Sequence, residues 1–568
     1  MANIFFFLLV PFVLGLALHW LLVLFYKVGL GFITRFFYRG VFISDDTLFR
    51  QDILWNKPQI RFMLALLPCQ VLGIIFATML TDTVTDSSFL KLTLQGTAGI
   101  FVAFTSYINF RRKKREVTSA PAARKTGNGF VLQTLGGSTI EIDNPTRGIF
   151  ICGGAGSGKS KSIIEPIIQQ SGENGFTGLV YDFKFPVLAS EVNGAYQGSR
   201  VKTWFVNFTD LAYSHQINPV SPKVITNASY AREAAKTILA NIDFKASQKR
   251  DFWIQSSEAI LTSAIWYLRN NHPQYCTLPH VIALVLKHEP KELIRLFQQD
   301  LQVKAIIASV ASGSESENQL AGVFASIQNY LSTLATPEIF WVLSGDEVPL
   351  DLNNPENPGI LTVGNDPTLS ATLSPVISLI VSMAAKQMNQ QGKEKSIILL
   401  DEAPTLFIPN FQQIPSTARS NKIATVYSVQ DIAQMQGMIG REETEMIISN
   451  LGTQFYGRST NIATAERISK LFGKMDVEYT GSNKSRSEDR NSYGQSTTIQ
   501  QRERLTPSQV LSFRAGQFCG IVAEGNTSEF QDIFREQTSV GRPLQKIRTA
   551  PDINANYVRI NNELQLLV

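Results

Sequence analysis

Two short runs of residues could carry chemistry together. The first, Gly153-Gly154-Ala155-Gly156-Ser157-Gly158-Lys159-Ser160, fits the pattern G-x-x-x-x-G-K-[ST]. Its glycines let backbone N–H groups close around phosphate oxygens, and a helix starting directly after it adds positive potential. Lys159 would then reach the β- and γ-phosphates of ATP, and the Ser160 hydroxyl would ligate Mg²⁺. The second run is Asp401-Glu402, which closes the apolar stretch 397–400. A carboxylate at a strand end beside a phosphate loop can hold Mg²⁺, through water or together with Ser160. An adjacent glutamate can act as general base on the attacking water.

Arg419 and Gln430 fit the same scheme. Arg419 stands at a helix end ahead of the apolar stretch 423–427, and Gln430 follows that stretch. A glutamine beside the γ-phosphate can sense hydrolysis, and an arginine reaching into a neighbour's site can stabilise transition-state charge. From spacing alone each also reads as a surface or capping residue. Asp182 and Lys184, at the end of the apolar stretch that follows the phosphate-loop helix, are further candidates.

These residues need strands to end in one place. Residues 147–152 read as a buried strand entering the phosphate loop, and 161–168 as the helix leaving it. Short apolar runs at 178–182, 203–207, 359–363, 396–400 and 423–427 alternate with helical patterns. That alternation predicts a parallel sheet covered on both faces, an α/β fold. Residues 130–142 alternate apolar and polar around Gly136-Gly137 and predict a hairpin. From 227 to 343 the pattern is helical, which predicts an all-α domain of residues 226–344 inserted between nucleotide-binding parts 116–225 and 345–545, with a tail at 546–568. Residues 481–503 are rich in Ser, Gln and Arg and read as a mobile loop.

The chain has 568 residues and a net charge of +5, which permits an anionic partner without demanding one. Four scattered cysteines exclude a disulfide framework and a zinc site of ordinary spacing. His280 and His288, eight residues apart, read as an exposed helical face rather than a metal site. Apolar stretches at 4–26, 62–80 and 89–110 are each near the length that crosses a bilayer. Lysines and arginines crowd residues 27–61 and 111–115, while the link between the second and third stretches carries only Asp82 and Asp86. The positive-inside rule then predicts a multi-pass protein of residues 1–115, with everything after 110 cytoplasmic. Residues 1–26 have two other readings, an interfacial helix or a cleaved signal peptide. The second lacks a basic start, and its apolar run is long for one.

The combination resembles the conjugative coupling proteins of type IV secretion, the TraG/TraD-type ATPases of the FtsK/HerA superfamily. The resemblance is carried by the membrane stretches, residues 153–160, Val180-Tyr-Asp-Phe-Lys184, Asp251-Phe-Trp253, Leu399-Leu-Asp-Glu-Ala403 and the Arg419 to Gln430 spacing. Asn450-Leu-Gly-Thr-Gln-Phe455 and Thr464-Ala-Glu-Arg-Ile-Ser469 also belong to it. It implies a RecA-like, P-loop ATP hydrolase that forms a homo-hexamer at the bacterial inner membrane. It implies passage of a relaxase-linked single DNA strand to the secretion channel, with the helical insert recognising the relaxosome. By motif match, Lys159 and Ser160 contact ATP and Mg²⁺, and Asp401 and Glu402 form the acidic pair. Arg419 is then the trans-acting finger and Gln430 the sensor. Family members commonly have two spans and a sizeable periplasmic part, whereas this sequence has three stretches and a small outer link. Export mainly of protein effectors, or an FtsK/HerA-type chromosomal DNA pump, are the alternative readings. A scaffold that binds ATP without turnover would have no need for Glu402.

Overall fold

The computed structural model describes residues 128–249, 251–312, 317–487 and 490–564. The three apolar stretches and the basic cluster at 111–115 lie outside the described residues. The chain divides into units Met1–Arg124 and Lys125–Val568, and the described residues belong to the second.

Strands β1 (Phe130–Gln133) and β2 (Thr139–Ile142) form the hairpin expected around Gly136-Gly137. Nine further described strands form one sheet: β3 (Ile149–Cys152), β4 (Thr177–Asp182), β5 (Lys202–Val206), β6 (Gly359–Gly364), β7 (Ser396–Leu400), β8 (Ile423–Val429), β9 (Thr453–Tyr456), β12 (Gln517–Ile521) and β13 (Glu529–Ile533). Their order is β13-β12-β9-β3-β8-β7-β4-β6-β5. From β9 to β5 all neighbours run parallel, and β12 and β13 add an antiparallel edge. The α/β expectation is met, and each strand expected from an apolar run is there.

Those runs are apolar throughout because β3, β4, β7 and β8 are buried at every position. Alternate side chains enter opposite cores. Phe150, Leu179 and Tyr181 point into one. Ile149, Ile151 and Val180 point into the other, with β1, β2 and the helices α1 (Glu165–Glu173) and α2 (Val187–Ala195).

Between β5 and β6 the described regular elements are helical: α3 (Ala228–Ile242), α4 (Phe244–Lys249), α5 (Phe252–Asn271), α6 (Leu278–Lys287), α7 (Pro290–Gln298), α8 (Leu301–Ser312), α9 (Glu317–Ser332) and α10 (Pro337–Val342), with short 3₁₀ turns. Asp251 caps α5, its carboxylate accepting the Ile254 N–H at 2.9 Å. The apolar side chains of these helices share one core with a face of the sheet. Helix α11 (Ser370–Met388) is long and apolar enough to cross a membrane, but it is mostly buried inside the protein. It packs on α3 through the 2.9 Å bond from Ser378 to Asn241 and the Lys386–Glu233 pair. The second half adds α12 (Ile414–Ala418), α13 (Ile432–Ile439), α14 (Arg441–Asn450), α15 (Ile462–Phe472), α16 (Pro507–Leu511) and α17 (Ile553–Glu563).

Two expectations are corrected. Residues 481–503 are not a loop: β10 (Lys474–Ser487) pairs antiparallel with β11 (Arg490–Glu503) in a two-stranded ribbon of its own. The side chains described in this ribbon, at 474–479 and 497–503, are exposed or half-exposed, so there no buried face imposes an apolar alternation that the sequence could display. His280 is not on an exposed face. It is buried, accepts the Thr277 hydroxyl at 2.6 Å and donates to Glu563 at 2.9 Å, and burial holds its ring below the usual histidine range.

Candidate active site

The carboxyl ends of β3, β7 and β8 lie side by side, and the expected chemistry collects there. β3 delivers the chain to Gly153, whose N–H is bonded to the Val429 carbonyl at the end of β8 (3.1 Å). The next N–H, of Gly154, is bonded to the Arg458 carbonyl just beyond β9 (2.8 Å). The Gly516 N–H is bonded to the Ser157 carbonyl at 2.8 Å, so the approach to β12 fastens the loop from another side. Gly156 and Gly158 have φ of +72° and +93°, the left-handed region that glycine tolerates. The loop runs into a π turn, Ser160–Ile164, and then α1. A helical start leaves its first N–H groups available to an anion.

Lys159 is buried. Its ammonium donates to the Val429 carbonyl at 2.8 Å and lies 3.8 Å from the Glu402 carboxylate. Glu402 is also buried, and its Oε1 accepts the Gln430 N–H at 3.1 Å. Thus Lys159, Glu402 and Gln430 meet around the exit of β8, Gln430 through its backbone. Asp401 ends β7 next to them. Burial pushes its carboxyl up to about 6, against the pull of Lys159.

Glu402 has φ of +54°, an uncommon conformation for a residue with a Cβ. A hydrogen-bond chain braces it. Asn365 donates to the Tyr181 hydroxyl (2.8 Å), Tyr181 meets Thr405 Oγ1 (2.8 Å), and Thr405 donates to the Glu402 carbonyl (2.7 Å). The sequence reading missed this brace and the carbonyls of Val429 and Arg458. Backbone contacts leave no side-chain signature, although Tyr181 directly precedes Asp182 in the run Val180-Tyr-Asp-Phe-Lys184.

Asp182 is buried at the end of β4 and accepts the N–H groups of Ala189 (2.9 Å) and Lys184 (3.2 Å). Burial pushes its carboxyl up to about 7, with the Asp401 charge adding to that. Its bonds make it a fastening for the start of α2, and Lys184 is exposed.

Arg419 is not brought to this cluster within the chain. It follows α12 at the amino end of β8, roughly 20 Å along that strand from Gln430. Its guanidinium lies 3.8 Å from Glu524, which also accepts Arg147 Nε at 2.6 Å.

The loop fits a triphosphate on two observations. Ser157 Oγ is buried in it without a hydrogen-bond partner. In addition, a Cβ at Gly153 would strike Ser157 Oγ at 2.7 Å and one at Gly158 would strike Gly516 N at 2.6 Å, so the loop closes on itself and on backbone where only glycine permits it. Ser160 and Asp401 offer oxygen donors of the kind Mg²⁺ takes alongside phosphate. We expect Gly158→Ala to destabilise the protein by about 1–3 kcal/mol, read as a lowered melting temperature. Gly156→Ala, with nothing within 4 Å of its Cβ, should cost less.

A family model described as type IV secretory system conjugative DNA transfer matches residues 109–526. No curated protein sequence matches the chain. Among solved structures, the unbound bacterial conjugative coupling protein TrwBdeltaN70 superposes with a TM-score of 0.58 at 16% identity, over 72% of this chain and 90% of that one. The plasmid coupling protein TrwB in complex with ADP and Mg²⁺ gives 0.55 at 15% identity, over 70% and 87%. Its complex with the non-hydrolysable ATP analogue ADPNP gives 0.54 at 12%, over 71% and 88%. At such identities the likeness is one of fold.

Proposed function

The chain belongs to the type IV secretory system conjugative DNA transfer family, and from that premise we propose that it is a membrane-anchored ATPase. It would couple the relaxosome to the secretion channel and drive single-stranded DNA through it. The observation that carries the reading is the meeting of Lys159, Asp401, Glu402 and Gln430 around the phosphate loop.

In this reading ATP is the substrate, as TrwB is seen with ADP and with an ATP analogue. Residues 153–160 hold its phosphates, with Ser160 and Asp401 as the Mg²⁺ residues. Mg²⁺ would neutralise charge that develops on the phosphates. Lys159 exchanges the Val429 carbonyl for a phosphate oxygen. Glu402, held by the Gln430 N–H and braced through Thr405, takes the proton of the attacking water. Losing the Lys159 bond at Val429 alters the exit of β8, and Gln430 passes that change to α13, which starts at the next turn.

Arg419 acts on a neighbouring copy. The nucleotide residues occupy the carboxyl edge of the sheet and Arg419 the amino edge, so a head-to-tail contact between copies places one against the other. Repeated six times, that contact closes a homo-hexamer, and a ring can grip a DNA backbone without reading its sequence. We assign residues 1–115 to the inner membrane, the helical residues 226–344 to recognition of the relaxase complex, and 116–225 with 345–545 to the motor.

Single-stranded DNA should accelerate ATP hydrolysis by the purified chain, and rising salt should weaken that acceleration. Hydrolysis indifferent to DNA at low salt would sink the DNA-motor reading. Arg419→Ala and Glu402→Gln chains should each be nearly inactive alone. Mixed equally, they should recover hydrolysis at about a quarter of the seams, where an intact Glu402 faces an intact Arg419. No recovery at any ratio means that Arg419 does not act across a subunit boundary.

A further inference from the structure

Glu402 opens a short irregular segment that the helical insert grips. Its carbonyl accepts the Thr405 hydroxyl at 2.7 Å and the Thr405 N–H at 3.0 Å, which closes a 3₁₀ turn over residues 403–405. Two residues later comes Phe407, which belongs to no helix or strand, so its backbone has no ladder partner. Asn241, next to last in α3, supplies one. Its Oδ1 accepts the Phe407 N–H at 2.9 Å, and its Nδ2 donates to the Phe407 carbonyl at 2.6 Å.

The Asn241 amide is itself fixed. Oδ1 also accepts the Ser378 hydroxyl of α11 at 2.9 Å, and Nδ2 also donates to the Thr237 carbonyl at 2.8 Å. Both of its donors and both of its acceptor positions are used. A second contact joins the same two segments. The Phe407 ring meets that of Phe244, the first residue of α4, edge-on at 4.8 Å between centres. The grip matters because Glu402 has a positive φ, a conformation that lasts only where the surroundings hold it. A cavity of about 20 Å³ adjoins Ala403, Leu406 and Phe407, so the segment is not packed solid and has room to shift when released.

We propose, resting on the reading of Glu402 as general base, that Asn241 is a positioning residue for it and that the helical insert sets the rate of ATP hydrolysis through this contact. Asn241 fixes Phe407, the turn at 403–405 carries that position to Glu402, and the carboxylate stays where the attacking water needs it. A reacting group misplaced by about 1 Å can lose a factor of roughly 10² in rate. Phe244 supports the same segment from the start of α4.

The test compares turnover and nucleotide affinity for substitutions in the full chain. Asn241→Asp keeps the side chain's size, removes both donations and sets a carboxylate oxygen against the Phe407 carbonyl. It should lower kcat by about tenfold or more and leave the affinity for a fluorescent nucleotide within about twofold. Phe244→Ala, which leaves every bond of Asn241 in place, should lower kcat by a smaller factor. In a chain that already carries Glu402→Gln, neither substitution should slow hydrolysis further, because both act through the Glu402 side chain. A loss of the same size in both backgrounds, or a loss of affinity in step with kcat, would make Asn241 a support of the fold at large and overturn the proposal. So would a wild-type kcat for Asn241→Asp. If that chain fails to fold, Phe244→Ala decides by the same comparison, and a wild-type kcat there overturns the proposal. Glu402→Gln separates the two levels. Slow hydrolysis by it beside normal hydrolysis by Asn241→Asp defeats the proposal alone, whereas near-normal hydrolysis by Glu402→Gln defeats the base assignment and the proposal with it.

Discussion

Glu402→Gln should leave nucleotide binding intact and slow hydrolysis by roughly 10²–10⁴-fold, the usual worth of a general base. The substitution keeps the side chain's shape, and its Oε1 can still accept the Gln430 N–H that Glu402 accepts at 3.1 Å. The backbone brace through Thr405 is untouched, because it holds the residue 402 carbonyl. Only the negative charge and the ability to take a proton are lost. Phosphate release measures the turnover, and titration of a fluorescent nucleotide measures the affinity. A loss below tenfold would remove Glu402 from the role of base and leave it a structural partner of Lys159 and Gln430.

Lys159→Ala should act differently, on binding as well as on turnover. The ammonium is buried between the Val429 carbonyl and the Glu402 carboxylate, so its removal empties the position from which phosphate charge is met. The fold should survive. Val429 keeps its bond from the Gly153 N–H, and the loop keeps its ties to Arg458 and Gly516. The readout is the thermal shift with ligand. Saturation of wild-type protein at 100 times its dissociation constant adds about 2.7 kcal/mol of stability, and the variant should gain almost none at the same ATP concentration. A variant stabilised by ATP as strongly as wild type would show that Lys159 does not touch the nucleotide.

How much of this could be read from the sequence follows from the range of the contacts. The phosphate loop is a run of eight adjacent residues, so its chemistry and its spacing are the same thing. The acidic pair was legible because β7 is buried on both faces and its apolar run breaks at Asp401. Longer-range arrangements were not visible. The brace of Glu402 joins Tyr181, Asn365 and Thr405 from three separate segments, and the resting place of Lys159 is a backbone carbonyl 270 residues away. His280 was misjudged because its partner Glu563 belongs to a tail helix whose asparagines hide its apolar stripe. The ribbon of β10 and β11 reads as a loop in sequence because paired strands whose described side chains face solvent leave no periodic signal.

The placement of Arg419 shows a different limit. Its position before β8 was legible, but the edge of the sheet it would occupy was not. The structure puts it beside Glu524 and Arg147, on the edge opposite the phosphate loop. That geometry denies it a part in its own chain's site, so the role proposed for it across a subunit boundary rests on the mixing experiment.

The central claim is that this chain spends ATP to move DNA out of a cell, and transfer itself tests it most directly. Cells carrying a transmissible plasmid, with the gene replaced by the Lys159→Ala form and the protein present at normal level in the membrane, would be mated with recipients. Transfer should fall to the level of cells lacking the gene, and the wild-type gene should restore it. Transfer at the wild-type frequency from the Lys159→Ala cells would contradict the account.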